Sequence, residues 1–168
     1  SIADFTLHDF ANGMQDIESR TLRLIGDPGI RYREDPVRML RAVRFAVKLG
    51  FDIAPESEAP IFDMAPLLLQ IPPARLFDEA LKLFMAGHGV ETFRMLRHYG
   101  LFAMLFPEAD EVMAELPWAE ALIEHALAST DKRIQEERPV TPAFIFAALL
   151  WGPVHRRQTD LCATVMPP

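Results

Sequence analysis

Apolar residues recur every three or four positions along most of the chain after residue 28, the pattern of helices that bury one face. Prolines and glycines flank these segments, where helices begin and end. The sequence therefore predicts a mainly α fold, with prolines at the helix edges. The predicted helices run from Asp35 to about Leu49, from Pro72 to Gly87, from about Val90 to Gly100, from Trp118 to about Ile134, and onward from Thr141.

The first 26 residues show a different pattern. Residues 3–8 (ADFTLH) and 21–25 (TLRLI) alternate weakly between apolar and polar positions, which predicts two short strands. Asn12-Gly13 lies between them and is a turn signal. Two short strands do not make a stable sheet alone, so we expect them to pack against something else.

The last predicted helix begins with AFIFAALLW, residues 143–151, which is apolar on all sides. We therefore expect it to be buried in this core or against a neighbour. It has under half of the roughly 20 residues that span a bilayer. Half of the 168 residues are hydrophobic, enough for one sizeable core or two small ones. The single cysteine, Cys162, fits a reducing compartment, so we expect a cytoplasmic protein. Because the longest apolar stretch is too short to span a bilayer, we expect no membrane contact.

Positive charge is concentrated in one window of an otherwise acidic chain. The chain carries a formal net charge of −7, but residues 31–48 carry +4, which leaves −11 for the rest. The only acids in this window are Glu34 and Asp35. Five of its six cations are arginine, the residue suited to planar and phosphate recognition. The cations are Arg31, Arg33, Arg38, Arg41, Arg44 and Lys48.

The predicted helix 35–49 separates its charged and apolar residues onto different faces. A solvated surface is one interpretation, in which Glu34 and Arg38 form an i, i+4 pair of a few tenths of a kcal/mol. The arginines after Arg38 have no acidic partner within their own helix, which favours a binding role instead. The charged face consists of Arg38, Arg41, Arg44 and Lys48, and the apolar face of Leu40, Val43 and Val47.

Asp35 and Arg38 together have a specific chemical use. An ionised Asp accepts hydrogen bonds, and Arg donates them. Adenine and cytosine each present an amino donor beside a ring-nitrogen acceptor, whereas guanine and uracil present the opposite pattern. An Asp beside an Arg can therefore select A and C, because unpaired polar groups are costly in the complex with G or U.

The surrounding residues, GDPGIRYREDPVRMLRAVRFAVKLGF, resemble the start of the neck domain in the class II nucleotidyltransferases. This family contains the bacterial poly(A) polymerases and the tRNA CCA-adding enzymes. Glu34, Asp35 and Arg38 match its E-D-x-x-R motif, which recognises the incoming base. The resemblance implies that Glu34 orients Arg38 and that Arg41 lies near the bound nucleotide. Candidate phosphate or RNA contacts are Arg31, Arg44 and Lys48.

Two further stretches, residues 71–110 and 129–151, resemble the helical body of the poly(A) polymerase branch. Residues 1–26 resemble the end of the catalytic head domain, with Asn12-Gly13 where the family has two glycines. The implied organisation is a short β remnant of the head (1–26), the neck (27–88) and part of the helical, RNA-binding body (89–168). The resemblance covers residues 1–152.

For the whole enzyme, the resemblance implies transfer of AMP from ATP to an RNA 3′ end with Mg²⁺. The family's metal-binding carboxylates and Gly-Ser loop lie in the head, ahead of this segment. We therefore expect no catalytic or metal-binding residue here, and no activity from this segment alone. Glu108 and Asp110 follow Pro107, where we expect a loop and not a metal site. The five histidines lack zinc-ligand spacing.

Two other functions remain open from the sequence. A CCA-adding enzyme shares nearly the whole neck pattern. A helical module that binds RNA without catalysis would also use a basic face, and would bind less tightly as salt rises. Asp35 counts against this second alternative, because a negative charge at the start of the basic face would weaken phosphate binding.

Overall fold

The structure, a computed structural model, describes the backbone of residues 8–165 and the side chains of residues 8–162. Helices dominate this part of the chain, which confirms the mainly α prediction. The elements are, in order, α1 (Gly13–Glu18), β1 (Thr21–Leu22), α2 (Pro28–Glu34), α3 (Val37–Leu49), β2 (Asp52–Ile53), α4 (Pro55–Met64), a 3-10 helix (Ala65–Gln70), α5 (Pro73–Phe84), α6 (Gly89–His98), α7 (Leu101–Leu105), α8 (Pro107–Glu115), α9 (Pro117–Gln135) and α10 (Pro142–Val165).

The two strands pair with each other in parallel, with Thr21 opposite Asp52 and Leu22 opposite Ile53. The predicted strand 21–25 is therefore wrong beyond its first two residues, because the pairing stops where β2 ends. β2 had no sequence signal of its own. The predicted strand 3–8 falls on residues 3–7, which lie outside the described residues, and on His8, which lies in no strand.

Asn12-Gly13 does not form a turn between two strands. Asn12 has a positive φ of 58° and directly precedes α1, which begins at Gly13. Asp9 caps this helix, since its carboxylate accepts hydrogen bonds from the backbone N–H groups of Gly13 and Met14 at 2.9 and 2.8 Å. These bonds from Met14 and Gly13 lower the pKa of Asp9 below its ordinary value.

α3 begins slightly later than the predicted start at Asp35-Pro36. Pro36 directly precedes Val37, the first helical residue, while Asp35 has extended backbone angles. Oδ1 of Asp35 still accepts a hydrogen bond from the N–H of Val37 at 3.3 Å, as an N-terminal acid does. At the other end, Gly50 takes the left-handed conformation (φ 64°), which confirms the predicted stop.

Proline positions account for three differences between the predicted and the observed helices, in α4, α8 and α10. α8 begins at Pro107, so Glu108 and Asp110 lie in the first turn of a helix and not in a loop. Proline fits this first position, and acids in the first turn interact favourably with the helix dipole. Pro60 and Pro153 lie inside α4 and α10, so the prediction that prolines mark helix edges is wrong there.

One cluster of buried apolar side chains runs from Tyr32 in α2 to Leu149 in α10. The residues 143–151 contribute only one side of their helix to it. Ile145 and Leu149 are buried, whereas Phe144 and Trp151 are about half exposed. Complete burial of this segment in the core is therefore wrong, and burial against a neighbour stays a prediction. Within the described residues, the helices are too short or too polar to cross a membrane.

Candidate nucleotide-recognition site

The candidate residues lie where α2 gives way to α3. Glu34 ends α2, and only Asp35 and Pro36 separate it from α3. Tyr32 anchors this junction from inside the core, because its buried hydroxyl donates a hydrogen bond to the backbone oxygen of Ser57 at 2.8 Å. Burial raises the pKa of Tyr32 to about 12, so the hydroxyl stays protonated. The junction is thus fixed to the start of α4.

Arg38 is held by the end of α2. Its Nη1 donates to Oε2 of Glu34 at 3.0 Å and to the backbone oxygen of Arg31 at 3.2 Å. Arg31 donates to the same Glu34 oxygen at 2.7 Å. The hydrogen bond from Arg38 is the largest cause of a lowered pKa of Glu34, and Arg31 adds to it, so Glu34 stays ionised. Nε and Nη2 of Arg38 have no hydrogen-bond partner among the described residues, so they can donate to a ligand.

Asp35 forms an ion pair with Arg75 of α5, and not with Arg38. Its Oδ2 lies 2.8 Å from Nη2 of Arg75, and its Oδ1 accepts the Val37 bond. A carboxylate has about four lone-pair sites, so each oxygen can accept one more hydrogen bond. Arg75 was not among the predicted site residues. The signal available was its helical spacing from Glu79 and Lys82, which places charge on one face of an amphipathic helix.

The next arginines of α3 also meet α5. Nη2 of Arg41 and Nη1 of Arg44 lie 3.4 and 3.9 Å from the Glu79 carboxylate, and Nζ of Lys82 lies 2.9 Å from it. The Glu79 side chain is only 4% exposed. Burial raises its pKa, but the hydrogen bond and charge of Lys82 and the charge of Arg41 outweigh burial, so the net shift is downward. The acid that α3 lacks is therefore supplied by another helix.

A cavity of about 220 Å³ opens beside Arg38 and Arg41. It is smaller than the roughly 300–1,000 Å³ of pockets that enclose a whole ligand, so it can take only part of a nucleotide. The Arg44 guanidinium lies 4.9 Å from the centre of the Phe45 ring in a cation–π contact. The other lining residues are mostly apolar and comprise Leu22, Arg23, Leu24, Tyr32, Ala42, Phe45, Ile53 and Ser57.

The remaining candidates lie at the edges of this face. Lys48 is exposed in the last turn of α3 and has no ion pair within the described part of the chain. Arg31 is partly engaged by Glu34, and its buried Nε has no hydrogen-bond partner. Residues 8–162 bring no three His, Cys, Asp or Glu side chains together as metal ligands. The described residues therefore do not fit a Mg²⁺ site.

Comparisons with known proteins match this segment to RNA-modifying enzymes. Residues 50–113 match the family model described as "Probable RNA and SrmB- binding site of polymerase A". The chain is 53% identical over 156 residues to poly(A) polymerase I of Salmonella typhimurium, which covers 92% of this chain and 34% of that protein. Poly(A) polymerase I of Haemophilus influenzae is 51% identical, with the same coverage. A CCA-adding enzyme of Streptococcus suis is 36% identical over 67% of this chain and 32% of its own length.

Solved structures show the same fold at lower identity. A structure titled "tRNA-processing enzyme (apo form 2)" superposes with a TM-score of 0.67 at 23% identity, over 86% of this chain and 41% of that one. A tRNA nucleotidyltransferase solved with a primer tRNA and an incoming ATP analog gives 0.61 at 24% identity, with the same coverage. The chain thus spans about a third of the length of the curated poly(A) polymerases that it matches.

Proposed function

Because this chain belongs to the class II nucleotidyltransferase family, as a segment similar to its poly(A) polymerases, we propose that the whole protein adds AMP from ATP to RNA 3′ ends. Each addition joins the α-phosphorus of ATP to the RNA 3′ oxygen and releases pyrophosphate. This segment supplies base recognition and RNA binding, with the neck at residues 27–88, the body at 89–168 and the end of the head at 1–26. We place the protein in the cytoplasm.

The observation that carries the proposal is the way Asp35 and Arg38 are held at the start of α3. Glu34 fixes Arg38 through Nη1, and Arg75 fixes Asp35 through Oδ2. Both side chains keep hydrogen-bonding capacity: Nε and Nη2 on Arg38, and spare lone pairs on Asp35. Asp35 accepts from the adenine amino group, and Arg38 donates to the adjacent ring nitrogen.

Discrimination then follows from mismatched polar groups. Guanine presents an oxygen to Asp35 and an N–H to Arg38, so acceptor faces acceptor and donor faces donor. A buried polar group left unpaired costs about 1–3 kcal/mol, and more if it is charged. Two such mismatches exclude guanine and uracil far more strongly than the favourable contacts alone attract adenine.

The cations further along α3 serve the charged parts of the substrates. We assign Arg41 to the nucleotide, one turn beyond Arg38, and Arg31, Arg44 and Lys48 to phosphate or RNA. The match of residues 50–113 to an RNA-binding family model supports RNA contact nearby. Arginine is suited to this role because its planar guanidinium can bond two phosphate oxygens at once.

Catalysis itself is assigned to no residue of this segment. Mg²⁺ would neutralise the triphosphate and the developing charge in such a transfer. The described side chains do not fit such a site, so we propose that the metal ligands and Gly-Ser loop lie in a head domain preceding this segment in the whole protein. We accordingly expect no adenylyl transfer from residues 1–168 alone.

The Asp35–Arg38 pair also matches cytosine, so CCA addition is a second candidate function. The 36% identity to a CCA-adding enzyme supports this second candidate. The test extends a labelled RNA with the full-length protein and ATP as the sole nucleotide. A long ladder of products supports poly(A) synthesis, whereas a stop after one or two additions shows CCA repair. Absence of any extension contradicts both enzymes and leaves an RNA-binding module without catalysis.

A further inference from the structure

Glu79 lies at the centre of more positive charge than it can balance. Three cations, Arg41, Arg44 and Lys82, lie within 3.9 Å of its carboxylate. Within residues 8–162, the Glu79 carboxylate is the only one within ion-pair distance of these three cations. The group, called here the Glu79 cation cluster, therefore carries a local charge of about +2.

The excess charge faces solvent, while the single negative charge does not. Glu79 is 4% exposed, whereas Arg41 is 43% and Lys82 is 51% exposed. Like charges this close repel one another, and a second anion on the solvent side would relieve that repulsion. The buried carboxylate meanwhile restrains the three flexible cations, which lowers the entropy they lose when they bind an outside group.

The position of the cluster follows the order of residues on the two helices. Asp35 of α3 pairs with Arg75 of α5, and Arg41 and Arg44 pair with Glu79, four residues further along α5. The cluster thus lies one to two helical turns beyond the Asp35–Arg38 pair. A rise of about 1.5 Å per residue puts Arg44 about 9 Å along the axis from Arg38, within the length of one nucleotide unit.

We propose that the Glu79 cation cluster is a phosphate-binding site. Lys82 binds the phosphate directly, although it lies on α5 and outside the E-D-x-x-R motif. The inference deepens the proposed function and rests on it. The phosphate can come from the RNA backbone or from the triphosphate of the nucleotide. Lys82 binds as a point charge with three donors, while Arg41 and Arg44 bind through planar guanidinium groups.

The test compares Lys82→Gln with Arg20→Gln in the full-length protein. Both side chains are exposed, and Arg20 lies between α1 and β1, outside the neck and body, where the proposed function assigns no RNA or phosphate contact. For each variant, the affinity for a labelled oligoadenylate is measured by anisotropy over roughly 50–200 mM salt, and KM for ATP is measured separately. Lys82→Arg keeps the charge, and a thermal melt checks that each variant is folded.

An RNA phosphate at the cluster predicts that Lys82→Gln reduces the steepness of log K against log salt by about 0.7. A triphosphate there predicts instead a raised KM for ATP with an unchanged salt slope. In either case Lys82→Arg restores most of the loss and Arg20→Gln changes neither quantity. If a folded Lys82→Gln protein shows neither change, or Arg20→Gln shows the same one, the inference is overturned. The salt slope does not require catalysis, so it also tests the cluster if RNA extension with ATP fails.

Discussion

Asp35 and Arg75 are forty residues apart in the sequence, yet Oδ2 of Asp35 and Nη2 of Arg75 lie 2.8 Å apart. The pair connects the start of α3 to the first turn of α5. Two contacts hold the Asp35 carboxylate: Oδ1 accepts the 3.3 Å bond from the N–H of Val37, and Oδ2 accepts the 2.8 Å bond from Arg75. Arg75 therefore fixes where Oδ2 lies and which of its lone pairs remains for a base.

Arg75→Ala in the full-length protein should therefore reduce the preference for ATP over GTP. Loss of a hydrogen bond to a charged group is worth about 1.5–3 kcal/mol, but Asp35 itself remains, so we expect roughly a tenfold fall in the ratio of kcat/KM values. Arg94→Ala is the matched control, since it removes an arginine that pairs with Glu124 at the same 2.8 Å distance. Equal effects of the two substitutions would show that Arg75 acts on stability alone.

Arg38→Ala should weaken nucleotide selectivity more strongly. It removes the donor to the ring nitrogen, whereas Glu34 stays paired with Arg31 at 2.7 Å. We expect the preference for ATP over GTP and UTP to fall by roughly ten- to a hundredfold, from the same hydrogen-bond energies. Competition between labelled nucleotides in one extension reaction measures this directly. Selectivity unchanged from the wild type would contradict the role given to Asp35 and Arg38.

The sequence predicted those parts of the site that local rules decide. Pro36 and Gly50 bracket α3 to within a residue, because the signals for starting and ending a helix act over a few positions. The faces of α3 followed from its periodicity, so Leu40 and Val43 are buried as expected. Arg38 and Glu34 met because they are four apart across a helix junction.

The partners from α5 were not predictable in the same way. Which helix packs against α3 depends on the whole core, so neither Arg75 nor Glu79 could be paired with α3 from spacing alone. The missed α8 has a different cause. Proline can start a helix or break one. The sequence predicts a loop after Pro107, but Pro107 starts α8 and the acids that follow lie in its first turn.

Glu79→Gln should destabilise the protein although it removes only a charge. The amide keeps the shape but loses charge-assisted bonds to Lys82 and Arg41, each worth about 1.5–3 kcal/mol when buried. Because those partners are about half exposed and regain water, we expect a net loss of about 2 kcal/mol. Urea unfolding gives the free energy. A variant as stable as the wild type would show that Glu79 does not stabilise these cations.

The same substitution should also change the response to acid. The pKa of Glu79 is lowered in the folded protein from its ordinary value of 4.5, so its stabilisation is complete above that pH. It is lost as the pH falls below 4.5 and through the folded value. Melting temperatures of wild type and Glu79→Gln should therefore converge as the pH falls through this window, whereas a constant difference would contradict the downward shift.

Tyr32→Phe should cost about 1–2 kcal/mol, because the backbone oxygen of Ser57 loses its donor in a buried place. Tyr99→Phe is the control: its hydroxyl donates to Glu58, which is only partly buried, so water can replace it more readily. Thermal or urea unfolding compares the two variants. We expect the Tyr32 variant to be the less stable of the pair, and the reverse order would contradict the anchoring role of Tyr32.

The ion pairs between α3 and α5 have a consequence for protein engineering. Grafting Asp35 and α3 alone from a relative of different specificity would separate the imported acid and arginines from that relative's own α5 partners, and would place them against the Arg75 and Glu79 of this chain. Such a hybrid enzyme should lose fidelity for both parental nucleotides. Transferring α3 and α5 together keeps each charge with its partner. Libraries for altered nucleotide choice should accordingly randomise positions 75, 79 and 82 along with the motif itself.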